Sequence, residues 1–360
     1  MKKLLLILFV IVSLNLDAQY VTNYAKNVKQ TEVDGVFYYL PRNIVRVDFV
    51  VEKNQSYKGK YSSFAKEMLN TDTYIKENKT TYRITKVNVS TLTEADPNMV
   101  FHIATDDKAK ELPKYELAFN NEGIIKSFGY QSIENDTSNT NQYMETVLDY
   151  NQPTEFQYIP LEEDDVDDEE DVKTKLTDKE VALTIVEEIK KVRVAYFDLI
   201  TGYQEVNYGK TINYMLDELK NLENEYLSMF VGKTTTETLT KTFYVIPEEG
   251  KTSVVLSKFS DTEGFNAKTG ESVKINFTDN SSTSAINELT IDEIENTTYN
   301  NKLFYRNPAN VTMQVLCGDD VVLENRLKIS QLGNVILVPI NKMRLTFDTN
   351  TGQLLSIIKE

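Results

Sequence analysis

The stretch that decides the fold is residues 37–51, Phe37-Tyr-Tyr-Leu-Pro-Arg-Asn-Ile-Val-Arg-Val-Asp-Phe-Val-Val51. Pro41 lacks an amide hydrogen and restricts the residue before it, so we expect it to end or offset a strand. Apolar and polar residues then alternate, with one exception at Ile44; the alternating residues are Val45, Arg46, Val47, Asp48 and Phe49. This period of two predicts an antiparallel sheet with one face in water.

Similar strand patterns lie on both sides of a helical region. Runs rich in Val, Ile, Tyr and Phe cover residues 36–39, 82–89, 239–246, 253–259 and 273–277. Thr177-Asp-Lys-Glu180 is a capping box that starts an amphipathic helix, which Gly202 ends, and a second such helix ends at Gly232. Residues 62–69 predict a short helix. We therefore predict an α+β fold, mostly antiparallel β, with a central helical hairpin.

The apolar stripes of the two long helices must be covered. We expect ordinary core packing, and binding of a partner helix is the alternative.

A short motif occurs twice. Residues 37–44 and residues 304–311 (Phe-Tyr-Arg-Asn-Pro-Ala-Asn-Val) share Phe, Tyr, Pro, Asn and a β-branched residue at identical spacing. Leu117-Ala-Phe-Asn…Gly123 likewise resembles Leu345-Thr-Phe-Asp…Gly352, with one extra residue in the second turn. We hypothesise an internal duplication of two β-rich modules; chance similarity between short aromatic strands is the alternative.

The motif also contains candidates for core packing and for ligand binding. We expect Phe37 and Phe304 to face the core. The other candidates could contact a ligand, with strand-edge packing as the alternative; they are Tyr39, Arg42, Tyr305 and Arg306.

The C-terminal segment predicts three hairpins. Gly, Asn and Asp permit the positive φ of tight turns. The predicted turns are Gly318-Asp-Asp320, Leu332-Gly-Asn334 and Asp348-Thr-Asn-Thr-Gly352.

The first nineteen residues have the layout of a secretory signal peptide. A basic start, Met1-Lys-Lys3, precedes an apolar run from Leu4 to Leu14 and a small-residue cleavage site at Leu16-Asp-Ala18. The run is shorter than the ~20 residues that span a bilayer. We expect an exported protein with no transmembrane segment after cleavage; an uncleaved anchor is the alternative. Lipoprotein attachment is not expected, because no cysteine is near the cleavage site.

Composition limits the chemistry. The net charge is −16, and the leader carries a net +1, so the mature chain would carry −17 and would be repelled by nucleic acid. Residues 162–171 are an acidic run, for which a solvated linker is expected and a weak calcium strip is the alternative. His102 is the only histidine and Cys317 the only cysteine of the chain. The sequence therefore indicates no catalytic residue, no metal site and no cofactor. We expect His102 to be structural.

These patterns divide the chain into consecutive segments. The predicted boundaries are a signal peptide at 1–19, an N-terminal β-rich module at 20–160, an acidic linker at 161–176, the helical hairpin at 177–232 and a C-terminal β-rich module at 233–360.

Several longer stretches resemble one protein family. They are Tyr39-Leu-Pro-Arg42, Thr93-Glu-Ala-Asp-Pro97, residues 193–202, residues 223–233, Phe259-Ser…Gly264 and the 345–352 hairpin. In this order they resemble the exported bacterial proteins grouped as domain of unknown function 4831, from about residue 35 to the end. The resemblance implies a Gram-negative-type envelope protein and brings no activity. The acidic run lies outside the pattern and is read as an insertion.

We therefore expect an exported, non-catalytic binding or scaffolding protein of the periplasm or outer envelope, with an envelope protein or a glycan as partner. One alternative is a carboxylate-based glycoside hydrolase acting on envelope or dietary glycan. Another is a sugar- or peptide-binding module of a nutrient-uptake system.

Overall fold

The structure is a computed structural model that describes residues 20–28, 34–105, 116–129, 176–202, 209, 211–280 and 289–359. Mostly antiparallel strands combine with helices, which confirms the predicted α+β class. The predicted signal peptide and nearly all of the predicted acidic linker lie outside the described residues.

The strands are β1 (Tyr20–Tyr24), β2 (Val36–Tyr57), β3 (Lys79–Thr105), β4 (Glu116–Phe119), β5 (Ile125–Gly129), β6 (Lys233–Val245), β7 (Ser253–Ser260), β8 (Gly264–Phe265), β9 (Glu271–Asp279), β10 (Tyr299–Asn300), β11 (Lys302–Cys317), β12 (Asp320–Pro339), β13 (Met343–Phe347) and β14 (Leu354–Lys359). The helices are α1 (Ala65–Leu69), α2 (Asp178–Thr201), α3 (Thr211–Val231) and α4 (Ile291–Asn296).

The described strands form three sheets. Their strand orders are β10-β1-β3-β2-β6, β12-β11-β9-β7-β8 and β14-β13-β5-β4. The third sheet joins the two hairpins that resemble each other in sequence, because Leu345 of β13 pairs with Phe128 of β5.

The described residues fall into two compact units that are discontinuous in sequence. A β unit contains residues 20–55, 79–129 and 234–359, and a helical unit contains residues 56–78 and 176–233. Both predicted β-rich modules thus contribute to one unit, and the connection between β2 and β3 belongs with the helices.

The helical unit contains the predicted hairpin. The Thr177 hydroxyl accepts from the Glu180 amide, the Glu180 carboxylate accepts from the Thr177 amide at 2.7 Å, and Gly202 ends α2 at a φ of 65°. The predicted short helix is a 3₁₀ turn followed by α1. The buried residues of this unit are Tyr61, Ala65, Ala182, Val186, Ile189 and Phe230. The apolar face of α2 is therefore covered partly by residues from the β2–β3 connection.

The β unit has two hydrophobic cores. The buried members of the first core include Tyr38, Leu40, Phe101, Ile103, Phe128, Leu303, Phe304, Val335, Val338, Leu345 and Phe347. The buried members of the second core are Val45, Val47, Phe49, Val51, Val245, Val273, Ile275, Phe277, Ala309, Val311, Met313, Val315 and Ile329. The four long strands β2, β3, β11 and β12 each contribute to both cores, so each strand crosses from one core to the other.

Prolines and a glycine mark these crossings. Pro41, Pro97 and Pro308 stand in β2, β3 and β11, where the missing amide is compatible with an interrupted ladder. Gly333 stands in β12, where an added Cβ would lie 2.0 Å from the carbonyl oxygen of Asn307. The predicted turn at residues 332–334 is therefore wrong: Gly333 allows close backbone approach within a continuous strand.

The alternation of buried and less buried side chains along β2 and β11 is interrupted at the motif prolines Pro41 and Pro308. Leu40 and Pro41 are consecutive buried residues in β2, and Pro308 and Ala309 are consecutive buried residues in β11. Phe37 and Phe304 occupy the same position in the two copies of the motif, but Phe304 is fully buried whereas Phe37 is half-buried. The buried positions of the two copies are therefore offset by one residue. Tyr38 takes the buried place expected for Phe37. A one-residue offset moves a side chain to the opposite face of a strand.

Tyr38 joins the two halves inside the first core. Its ring stacks on Phe101, and Phe101 stacks on Phe304 with ring centroids 4.2 Å apart. The Tyr38 hydroxyl accepts from the Phe304 amide at 3.0 Å, and burial raises the pKa of the phenol far above its usual value. The hydroxyl thus satisfies a buried backbone amide.

We expect Tyr38→Phe to lower the free energy of unfolding by about 1–3 kcal/mol, because the Phe304 amide would remain buried without an acceptor. Urea unfolding followed by circular dichroism measures this change. Tyr244→Phe removes a hydroxyl from a residue that is 61% exposed and serves as the matched control. Equal stability of the two variants would contradict the role of the hydroxyl.

His102 is buried in β3 with 1% of its surface exposed. Neither ring nitrogen has a hydrogen-bond partner within the described ranges, and the ring lies 4.8 Å from that of Phe37. Burial lowers the pKa of His102, and the nearby backbone of Asp34 opposes this shift in part. The histidine therefore favours the neutral form in the folded protein.

A lowered folded-state pKa means that the unfolded chain binds the proton more tightly. The contribution of neutral His102 is present above the unfolded pKa of ~6.5 and is lost as the pH falls below it, by at most about 1.4 kcal/mol per pH unit. We expect His102→Leu to be less sensitive than the native chain to a change from pH 8 to pH 5. Urea unfolding at both pH values checks this, and parallel pH profiles would refute it.

Candidate functional site

The predicted residue Arg306 lies where the strands cross between the cores. Its guanidinium donates to the Pro41 carbonyl and, at 2.8 Å, to a carboxylate oxygen of Asp96. Arg306 is 3% exposed and Asp96 is 6% exposed. Burial lowers the pKa of Arg306, and the Asp96 carboxylate opposes this shift. Arg306 thus ties β11 to β2 and β3 and does not reach the surface.

Asn43 is a second buried connection at the crossing. Its side-chain oxygen accepts from the amide and hydroxyl of Ser330, at 2.7 and 2.6 Å. Its side-chain amide donates to the Asn350 carbonyl and to the Thr93 hydroxyl. Gln331 completes the set by bonding both the amide and the carbonyl of Asn43. These bonds join β2 to β12 and to the β13–β14 turn.

The β4–β5 and β13–β14 hairpins, which are similar in sequence, have turns with the same pattern of hydrogen bonds. The Asn120 side chain accepts from the amide of Glu122, and the Asp348 side chain accepts from the amide of Asn350. Each residue also bonds through its backbone carbonyl to the turn glycine, Gly123 or Gly352. The second turn has one extra residue, as the sequence comparison indicated.

The turn glycines contact the motif strands. A Cβ on Gly123 would lie 3.1 Å from the Tyr39 ring, and a Cβ on Gly352 would lie 2.9 Å from Pro41 and 3.2 Å from the Arg306 Cβ. Both glycines also have positive φ, 77° and 74°. The hairpins therefore dock on the predicted motif residues by close approach.

The predicted residues Arg42 and Tyr305 also make intramolecular contacts. Arg42 forms a partly exposed ion pair with Glu94. The Tyr305 ring lies 6.0 Å from the ring of Phe347, and burial raises its pKa. The structure thus places all four predicted residues around the crossing, with both arginines paired to carboxylates of the same chain.

A surface groove of about 550 Å³ lies elsewhere in the β unit, on β11 and β12. Its lining residues are Asn280, Asn310, Val311, Thr312, Arg326, Leu327 and Lys328. Thr312 pairs with Arg326 and Asn310 pairs with Lys328 across the two strands. Asn280 donates to the Thr312 hydroxyl, which orders the amide at the edge of the groove.

The groove has a mixed polar and apolar lining, and its described charged residues are both cations. Arg326 forms no ion pair within the described part of the chain, and Lys328 donates to the side-chain oxygen of Gln353 at 2.9 Å. The guanidinium can therefore bind an oxyanion in two-point geometry, with the Thr312 hydroxyl and the amides as further polar groups.

Comparison with known proteins assigns the chain to a family. The profile described as Domain of unknown function (DUF4831) matches residues 34–355. The chain belongs to the DUF4831 family. Neither a curated protein nor a solved structure matches it. The match spans β2 to the start of β14, so this DUF4831 chain carries the crossing, the hairpins and the groove within the family region.

The groove residues belong to none of the sequence motifs described above. A signal was present: Arg326 and Lys328 alternate on one strand, and Asn310 and Thr312 alternate on the strand before it. Alternation places each pair on one face. The register that brings the pairs together depends on a bulge between Asn307 and Ala309, which the sequence does not specify.

No group of three or more possible metal-ligating side chains occurs among the residues that were described. None of the described helices combines the length and apolarity needed to cross a membrane.

The crossing predicts unequal effects for its two arginines. Arg306→Met would leave the buried Asp96 carboxylate without its cation, so we expect a loss of about 3–5 kcal/mol in the free energy of unfolding. Arg42→Met breaks a partly exposed pair and should cost about 1 kcal/mol or less. Urea unfolding measures both. Adding Asp96→Leu to Arg306→Met should restore part of the stability, and equal losses for the two single variants would contradict the burial argument.

Proposed function

We propose that this DUF4831 protein is an exported, non-catalytic binding protein of the bacterial envelope that holds an anionic glycan in the β11–β12 groove. The observation that carries the proposal is Arg326, a cation without a carboxylate partner among the described residues, in a chain of net charge −16. In such a chain carboxylates are abundant, so a groove whose charged lining residues are Arg326 and Lys328 is selective for anions.

The groove chemistry suits uronic acid residues. A carboxylate can accept two parallel bonds from a guanidinium, and sugar hydroxyls can bond to Thr312 and to the amides of Asn280 and Asn310. The volume of about 550 Å³ is in the range of small-ligand sites. None of the described residues that line the groove is aromatic, so recognition would rest on charge and hydrogen bonds rather than on ring stacking.

Export supports an envelope ligand. The leader at residues 1–19 predicts secretion, and the excess of acidic residues disfavours nucleic acid as a partner. Periplasm and outer envelope are the compartments that we propose, with an envelope protein or a glycan as partner.

A glycoside hydrolase remains a second candidate because of one observation. Burial raises the pKa of Glu122, and the Glu94 carboxylate raises it further. Glu94 itself is paired with Arg42. Two neighbouring carboxyl groups, one of them with a raised pKa, are the kind of pair that glycoside hydrolysis requires.

The test is isothermal titration of the purified full-length secreted protein with tri-galacturonic acid, with maltotriose as the neutral comparison. We expect the acidic trisaccharide alone to bind, with an affinity that decreases as salt screens the charges. Arg326→Gln should weaken binding about tenfold, as expected for loss of a charge-assisted pair. Arg83→Gln changes an exposed arginine outside the groove and should bind as the native chain does.

Two outcomes would overturn the proposal. Unchanged affinity in Arg326→Gln would exclude the groove. Shortening of the trisaccharide that Glu122→Gln abolishes would favour the hydrolase.

A further inference from the structure

The outer face of α2 is a second unexplained surface, and it lies in the helical unit. Three large apolar side chains are exposed there: Leu183 at 47%, Val194 at 60% and Phe197 at 65%. They lie outside the buried face of α2, which includes Ile189 and Val192. Positions 183, 187, 190, 194 and 197 follow a spacing of three or four residues, so they form one stripe.

The charged residues of this stripe are one acid and one base. Glu187 and Lys190 are exposed and form no ion pair with any residue in the described ranges. Their neighbours Glu188 and Lys191 do pair, at 2.6 Å. The stripe therefore carries one acid and one base, flanked by apolar residues. The pKa of Lys191 is raised mainly by its bond to Glu188, and Glu187 also helps to raise it without forming a close ion pair with Lys191.

We propose that this stripe binds a second copy of the chain, with the two α2 helices antiparallel about a two-fold axis. In an antiparallel pair, facing residues have a constant sum of residue numbers. If Glu187 faces Lys190 of the other copy, Leu183 faces Val194 of that copy. A two-fold axis makes every contact twice, so the same register gives two ion pairs and two apolar contacts.

Phe197 extends the contact. In the same register it faces the first turn of α2 at Glu180 in the other copy. The paired segment from residue 180 to residue 197 covers about 27 Å of helix. This self-complementarity selects a second copy over an unrelated partner, because acid meets base at positions 187 and 190 and apolar meets apolar at positions 183 and 194. The proposal is independent of the groove and of its ligand.

Charge exchange tests the register. Glu187→Lys alone and Lys190→Glu alone each place like charges opposite each other, so we expect each to raise the dimer Kd about tenfold. The double variant restores opposite charges and should dimerise as the native chain does. A mixture of the two single variants should form a heterodimer, because every facing pair then has opposite charges. Sedimentation velocity from about 1 to about 200 µM, with one variant fluorescently labelled, measures these states.

An apolar variant tests the surface itself. Val194→Asp changes an exposed side chain and should leave the circular dichroism spectrum unchanged while abolishing dimerisation. Leu239→Asp, at a residue that is 37% exposed in the β unit, is the control and should leave dimerisation intact. A native chain that is monomeric over the whole concentration range would overturn the proposal. Dimers that are insensitive to charge exchange and to Val194→Asp would also overturn it, since another surface would then be responsible.

Discussion

The β unit depends on one constraint, the passage of four long strands from the first core to the second. Each strand must change the phase of its buried side chains or tolerate a close backbone approach at the crossing. Pro41 and Pro308 stand at the phase changes of β2 and β11, and Gly333 provides the close approach in β12. Because β2 and β11 come from opposite ends of the chain and enter both cores, neither half contains a complete core.

The crossing is held by polar bonds where the apolar cores are interrupted. A buried ion pair is weak support for stability but has strict geometric requirements. Arg306 bonds to Asp96 and to the Pro41 carbonyl, although its buried Nε has no partner among the described residues. Asn43 bonds to Ser330. A shifted register would leave these groups buried and unpaired, at a cost of several kcal/mol. The polar contacts therefore specify the register, while the cores supply most of the stabilisation.

The sequence predicts elements governed by local rules. The capping box at Thr177, the glycine ends of the long helices and the hairpin turns at Gly123 and Gly352 follow from backbone chemistry within a few residues. Other features depend on distant residues. The turn expected at Gly333 is a strand because Asn307 approaches it across the sheet, and the β2–β3 connection packs on α2 through contacts that no local pattern encodes. The groove depends on strand pairing in the same way.

The β unit contains two groups of strands with a similar arrangement, and they differ in how their surface arginines are paired. Each half has a central long strand between a long partner and a shorter strand, β3-β2-β6 and β12-β11-β9. In the first half the outward-facing Arg46 pairs with Asp48 at 3.1 Å, and Asp48 also accepts from the Thr242 hydroxyl. In the second half Arg326 has no such acid in the described chain. An acid of the same chain thus neutralises Arg46 on β2, whereas Arg326 on β12 has no such partner among the described residues, and this difference supports the proposed anion site.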